Sequence, residues 1–113
     1  MNTIDHSKNL PFAITLCNSD GIITYMNDRS LETFKEDGGE KLIGQNLFDC
    51  HSEKSKIQLK EMFKDEKENF YTIQKGGRKK MIYQFPVYSD EQFTGFGEIS
   101  IVIPEEMPHF NRD

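Results

Sequence analysis

The side chains in this sequence best suited to chemistry are Cys50 and His51, adjacent residues that precede a run of strong helix formers. A neutral imidazole is a common ligand for haem iron and for metal ions, and a neighbouring thiolate adds a second ligand type. Side chains that follow one another diverge, however, and no Cys-x-x-Cys or His-x-x-x-His supplies the further ligands of a structural metal site. His51 therefore reads first as a hydrogen-bonding group at the start of a helix, with axial ligation as the alternative. Cys17 and Cys50 read as small buried residues. The pair His51-Ser52 lacks a Gly-x-Ser-x-Gly elbow, and Ser52 fits the role of N-cap better than that of nucleophile. The acids between Glu61 and Glu68 read as a solvated face, and Gly76-Gly77 lies between strands with no helix behind it, a turn rather than a phosphate loop. With no nucleophile beside a base and no paired carboxylates, neither an enzyme nor a resident metal is expected.

The basic run Arg78-Lys79-Lys80 begins a strand directly after that turn. It has no stacking aromatics at the spacing of an RNA-binding sheet and reads as edge protection. The 113 residues carry 19 acids against 14 bases, a net charge of −5, which disfavours grip on nucleic acid or an anionic membrane. Two cysteines are too few for a secreted disulfide scaffold, and no apolar run approaches the ~20 residues of a membrane helix, so a reducing cytoplasm is the expected compartment. One domain accounts for the length. Apolar residues make up only 35% of the chain, with nine Phe and four Tyr among them, so any ligand pocket has to be cut from a small aromatic core.

These residues need elements to position them. Residues 1–9 are polar and unpatterned and read as a flexible N-terminal segment. Leu10 to Asn18 alternates, with Phe12, Ile14 and Leu16 on one side and Ala13, Thr15 and Cys17 on the other. Ser19-Asp20-Gly21 turns the chain into Ile22 to Met26, which makes a hairpin. Asp28 opens a short helix carrying Leu31 and Phe34, Asp37-Gly38-Gly39 ends it, and a further helical turn falls around Leu42 and Phe48. Ser52 to Glu68 is the one long helix, with Ile57, Leu59, Met62 and Phe63 leaning to one side. Three strands follow: Phe70 to Gln74; Lys79 to Tyr88, with Met81, Tyr83, Phe85 and Val87 on one face; and Phe93 to Ile103. In the last, strict alternation puts Phe93, Gly95, Gly97 and Ile99 opposite Phe96, Glu98, Ser100 and Val102. Pro104 and Pro108 leave residues 105–113 as an irregular tail.

The order β-β-α-α-α-β-β-β over residues 10–104 resembles the PAS domain. The resemblance is carried by Asp20-Gly21-Ile22-Ile23-Thr24-Tyr25-Met26-Asn27 at the first hairpin, by Leu42-Ile43-Gly44-Gln45-Asn46 before the long helix, and by Phe93-Thr94-Gly95-Phe96-Gly97 entering the last strand. More narrowly the chain is similar to small stand-alone PAS proteins of unestablished function, through Leu10-Pro11-Phe12, Asp37-Gly38-Gly39, Asp49-Cys50-His51, Tyr71-Thr72-Ile73 and Met107-Pro108-His109-Phe110. The resemblance implies an α+β fold, a five-stranded antiparallel sheet with helices packed on one face. It also implies a sensory or signalling role.

Flavin photoreceptors of the family carry Gly-x-Asn-Cys-Arg, whereas Leu47 follows Gly44-Gln45-Asn46 here, so flavin is disfavoured. Haem sensors of the family carry a proximal His in the long helix, where this chain has Leu59 and Lys60. His51 remains an off-pattern haem candidate.

A PAS ligand would lie between the helices and the inner sheet face. The expected lining is Leu16, Tyr25, Phe34, Leu42, Phe48, Met62, Tyr83, Phe85 and Ile99, with Gly95 and Gly97 allowing close approach and Asn27 and His51 orienting the ligand. The alternative is that these aromatics fill the core and the domain is a ligand-free interaction module. Ile103-Pro104 stands where a signalling helix would begin, so output is expected through a surface. The expected output is a homodimer formed through the outer sheet face near Glu98, Ser100 and Val102, or docking to a separate kinase or regulator.

Overall fold

The computed structural model describes residues 5–49 and 51–113. Cys50 lies outside the described residues. Strands β1 (Ala13–Asn18) and β2 (Ile23–Met26) form the first hairpin, followed by helix α1 (Asp28–Thr33), three single turns of 3₁₀ helix and the long helix α2 (Glu53–Asp65). Strands β3 (Asn69–Lys75), β4 (Arg78–Ser89) and β5 (Gln92–Val102) complete the regular structure of the described residues. All five strands join one antiparallel sheet in the order β2-β1-β5-β4-β3, so β5 inserts between the first hairpin and the second.

The hairpin loop closes because Asn18 Oδ1 accepts from the backbone N–H groups of Asp20 and Ile22, both at 3.0 Å, an Asx turn of the kind this residue favours. Ser52 caps α2 through its hydroxyl, which accepts from Ser55 N at 3.3 Å. The helix ends at Glu66, whose left-handed φ of 51° breaks the repeat. Only one edge of α2 packs. Phe63 reaches the sheet, its ring 4.6 Å from Phe96, 5.2 Å from Phe48 and 6.1 Å from Phe93. Ile57, expected beside it, is 57% exposed, because its position points away from the stripe of Leu59, Met62 and Phe63.

The described part of the N-terminal stretch, residues 5–9, makes hydrogen bonds to the first hairpin and to α1. Tyr25 donates its hydroxyl to Asp5 at 2.7 Å and lies 2.7 Å from the Ser7 hydroxyl, and Asn9 donates to Asp28 at 2.6 Å. Asn27 is the centre of this arrangement. It is fully buried, and its Oδ1 accepts from Ile14 N and Ser30 N while its Nδ2 donates to the carbonyls of Ser7 and Phe12. One amide thus joins the N-terminal segment, β1 and the N-terminus of α1.

Candidate functional site

Register determines which side chains share a sheet face. One row runs Met26, Thr15, Glu98, Gln84, Asn69 across all five strands, and the neighbouring row runs Tyr25, Leu16, Gly97, Phe85 on the opposite face. The helices lie on the face of the first row: the Thr15 and Ser30 hydroxyls are 2.6 Å apart, and Phe63 packs on Phe96. Between this inner face and the 3₁₀ crossing lies a cavity of about 620 Å³. Ile23, Met26, Phe34, Leu42 and Leu47 wall it with apolar surface; Thr15 and Glu98 form its floor; Asp37, Lys41, Gln45 and His51 are its other polar lining residues.

The floor is hydrogen-bonded along the row. Asn69 Nδ2 donates to Gln84 Oε1 at 3.0 Å, and Gln84 Nε2 donates to Glu98 Oε2 at 3.0 Å. A carboxylate only accepts, so Glu98 fixes the orientation of the Gln84 amide and through it that of Asn69. Burial, and then the charge of Glu98, raise the pKa of the nearby Tyr71 phenol. At Cys17, on the same face, burial likewise pushes the thiol up, partly offset by a hydrogen bond from the Phe96 backbone. The His51 Nδ1 lies 2.6 Å from the Leu47 carbonyl. A carbonyl only accepts, so Nδ1 is the ring nitrogen that donates, and Nε2 is the one left to meet a ligand.

The sequence model of the PAS domain matches residues 11–99. This chain belongs to the PAS domain family. Among solved structures, a C-terminal domain from Streptococcus mutans is similar at 24% identity and a TM-score of 0.69, over 84% of this chain and 78% of that one. The PAS domain of histidine kinase ThkA is similar at 21% identity and a TM-score of 0.64, over 80% and 97%. The Aer2 receptor from Vibrio cholerae, a dual PAS-haem oxygen sensor, is similar at 12% identity and a TM-score of 0.62, over 82% and 95%. At these identities the likeness establishes the fold. No curated protein sequence matches significantly. PAS domains are sensory and signalling modules, as the kinase and the receptor illustrate. Among the described residues no helix is long and apolar enough to cross a membrane.

In this PAS domain the expected lining divides into two groups. Phe34, Leu42 and His51 do line the cavity. Met62 lines a narrow extension of about 50 Å³ under α2, and Phe48 joins the aromatic seam beside it. Leu16 and Gly97 also border that extension, although the Leu16 side chain and the other remaining expected residues are directed elsewhere. Leu16, Tyr25, Tyr83, Phe85 and Ile99 belong to the outer face, where Tyr83 stacks on Phe70 at 4.3 Å and lies 5.0 Å from Phe85. Asn27 is the backbone clamp described above and orients no ligand. The two glycines serve strand packing. A Cβ on Gly97 would sit 2.5 Å from the Phe85 ring and 2.9 Å from Leu16 Cδ2. One on Gly95, at φ 153°, would sit 1.9 Å from the Cys17 carbonyl oxygen.

The expected association residues Glu98, Ser100 and Val102 share the inner face, the reverse of their expected placement. Strict alternation also fails at the start of β5. The β4–β5 register shifts between Val87 and Tyr88, and Phe93 swings inward to meet Phe63 and Phe96. Sequence reasoning missed Ile23, Met26, Leu47 and, above all, Glu98 as cavity residues. The available signal was Glu98 flanked by Gly97 and Ile99, the one charged residue in the central strand.

Proposed function

We propose that this PAS domain is a non-catalytic sensor that takes a small molecule into the cavity and acts through protein–protein association. The observation that carries this reading is the cavity itself. Its 620 Å³ falls within the roughly 300–1,000 Å³ usual for ligand sites, and it combines apolar walls with a few convergent polar groups. Association fits the outer face, where Phe70 is 62% exposed beside Tyr83 and where Met81 and Ile101 are also exposed. A second copy of the chain or a separate kinase or regulator are the partners this reading names.

Native mass spectrometry of the protein isolated gently from its own cells tests the ligand. A discrete added mass that is lost on denaturation is expected. The bare chain mass both as isolated and after incubation with cell extract would leave a filled-core interaction module as the better description.

A haem-based sensor is the second reading, favoured by His51, which lines the cavity and directs Nδ1 to the Leu47 carbonyl, so that Nε2 is the nitrogen that would meet iron. Haem would bring redox and gas-binding chemistry to the cavity, and His51 would hold its iron. A Soret band abolished by His51→Ala supports this reading, and a colourless protein after haem titration removes it.

A further inference from the structure

Glu98 is a half-buried carboxylate facing a largely apolar cavity, and its charge has no ion-pair partner among the described residues. Its one hydrogen bond among the described residues comes from the neutral amide of Gln84, received on Oε2. The ion pairs among those residues, Lys8–Asp28, Lys35–Glu32 and Lys67–Asp65, all lie on the surface and none involves Glu98. The neighbouring Thr15 hydroxyl is engaged with Ser30, and Gln84 has its own oxygen occupied by Asn69. The other charged groups lining the cavity, Asp37 and Lys41, are exposed residues of the crossing segment and form no ion pair with Glu98. A carboxylate partly withdrawn from water and without a counter-charge among the described residues favours a cation beside it, and it repels any anion that would enter.

We infer that the ligand of this cavity carries a positively charged nitrogen, an ammonium or amidinium on a small apolar frame, seated with its cation against Glu98. The inference rests on the ligand-binding reading above and narrows it to one chemical class. The apolar frame would pack on Ile23, Met26, Phe34 and Leu42, and the cation would give Glu98 Oε1 the donor it lacks among the described residues.

The test is a methyl-detected NMR titration with an amine series from butylamine to tryptamine, each amine paired with its alcohol and carboxylate counterparts. Some amine is expected to shift the Ile23, Met26 and Leu42 methyls and to bind roughly tenfold or more tightly than its alcohol, with the carboxylate weakest. Glu98→Gln should erase the preference, and raising the salt should weaken the amine in the wild-type protein alone. The wild-type salt series stands by itself if the variant folds poorly. Alcohol and amine binding equally well, or an amine preference that survives Glu98→Gln, overturns the cation inference and leaves the cavity as a ligand site. Silence of the cavity methyls to the whole series overturns both.

Discussion

Replacing Asn27 with alanine removes four hydrogen bonds at a single fully buried side chain, at 2.9 Å to Ile14 N, 3.0 Å to Ser30 N, 3.0 Å to the Ser7 carbonyl and 2.9 Å to the Phe12 carbonyl. Alanine offers none of these groups a substitute. The helix cap alone is worth about 1 kcal/mol. Each further backbone group left without a partner away from water costs on the order of 1 kcal/mol or more. Together the loss comes to about 3–5 kcal/mol, a large part of the roughly 5–15 kcal/mol that holds a domain folded. For a chain near 100 residues that corresponds to a fall in Tm of roughly 12–20 °C.

The chain has no tryptophan, so far-UV circular dichroism during urea and thermal unfolding is the suitable probe. The urea midpoint should fall with the m-value unchanged, as it does when native stability changes and the denatured state does not. Asn27→Asp keeps both acceptor bonds but sets a carboxylate against two carbonyl oxygens, which raises its native pKa. A protonated Asp donates to only one of those carbonyls, so the destabilisation of Asn27→Asp should be below that of Asn27→Ala under the ordinary carboxylate pKa and grow as the pH rises through the raised value. A loss under about 1 kcal/mol for Asn27→Ala would refute the clamp.

Gly97→Leu should cost at least about 1–3 kcal/mol in urea unfolding, because the Phe85 ring and Leu16 already occupy the space a side chain needs, and a neutral result would show that the outer face repacks freely. Cys17, in a Cys50→Ser background, should react with a disulfide reagent at pH 8 more slowly than a free thiol, since burial raises its pKa. The same shift makes folding stability decline as the pH climbs past the ordinary thiol pKa; free-thiol reactivity at pH 8 would contradict it. Phe70→Glu should lower the mass seen in light scattering if the outer face joins two copies, and an unchanged dimer would place that contact elsewhere.

The sequence of strands and helices along the chain could be read from the residues because alternation and turn chemistry act locally. Asn18 and Gly21 close the hairpin, Ser52 caps α2, and the period returns to two after Asn69. Which sheet face meets the helices could not be read in the same way. Leu16, Tyr83, Phe85 and Ile99 make the outer face as apolar as any core, while the inner face carries Thr15, Glu98, Gln84 and Asn69 as one polar row. Periodicity separates two faces without saying which one is buried, and the more apolar face was the natural choice. The polar row is tolerated inside because Asn69, Gln84 and Glu98 bond to one another and Thr15 pairs with Ser30. The inward turn of Phe93 depends on a bulge whose register is set by pairing with β4, a partner remote from the local pattern.

The most direct test of small-molecule binding in the cavity is a methyl NMR spectrum of the protein mixed with extract of its own cells. Shifts at Ile23, Met26, Leu42 and Leu47, with Met81 and Ile101 on the opposite face unmoved, are the predicted result. Shifts confined to Met81 and Ile101, with the four cavity methyls unchanged, would contradict a ligand in the core and leave surface association as the function.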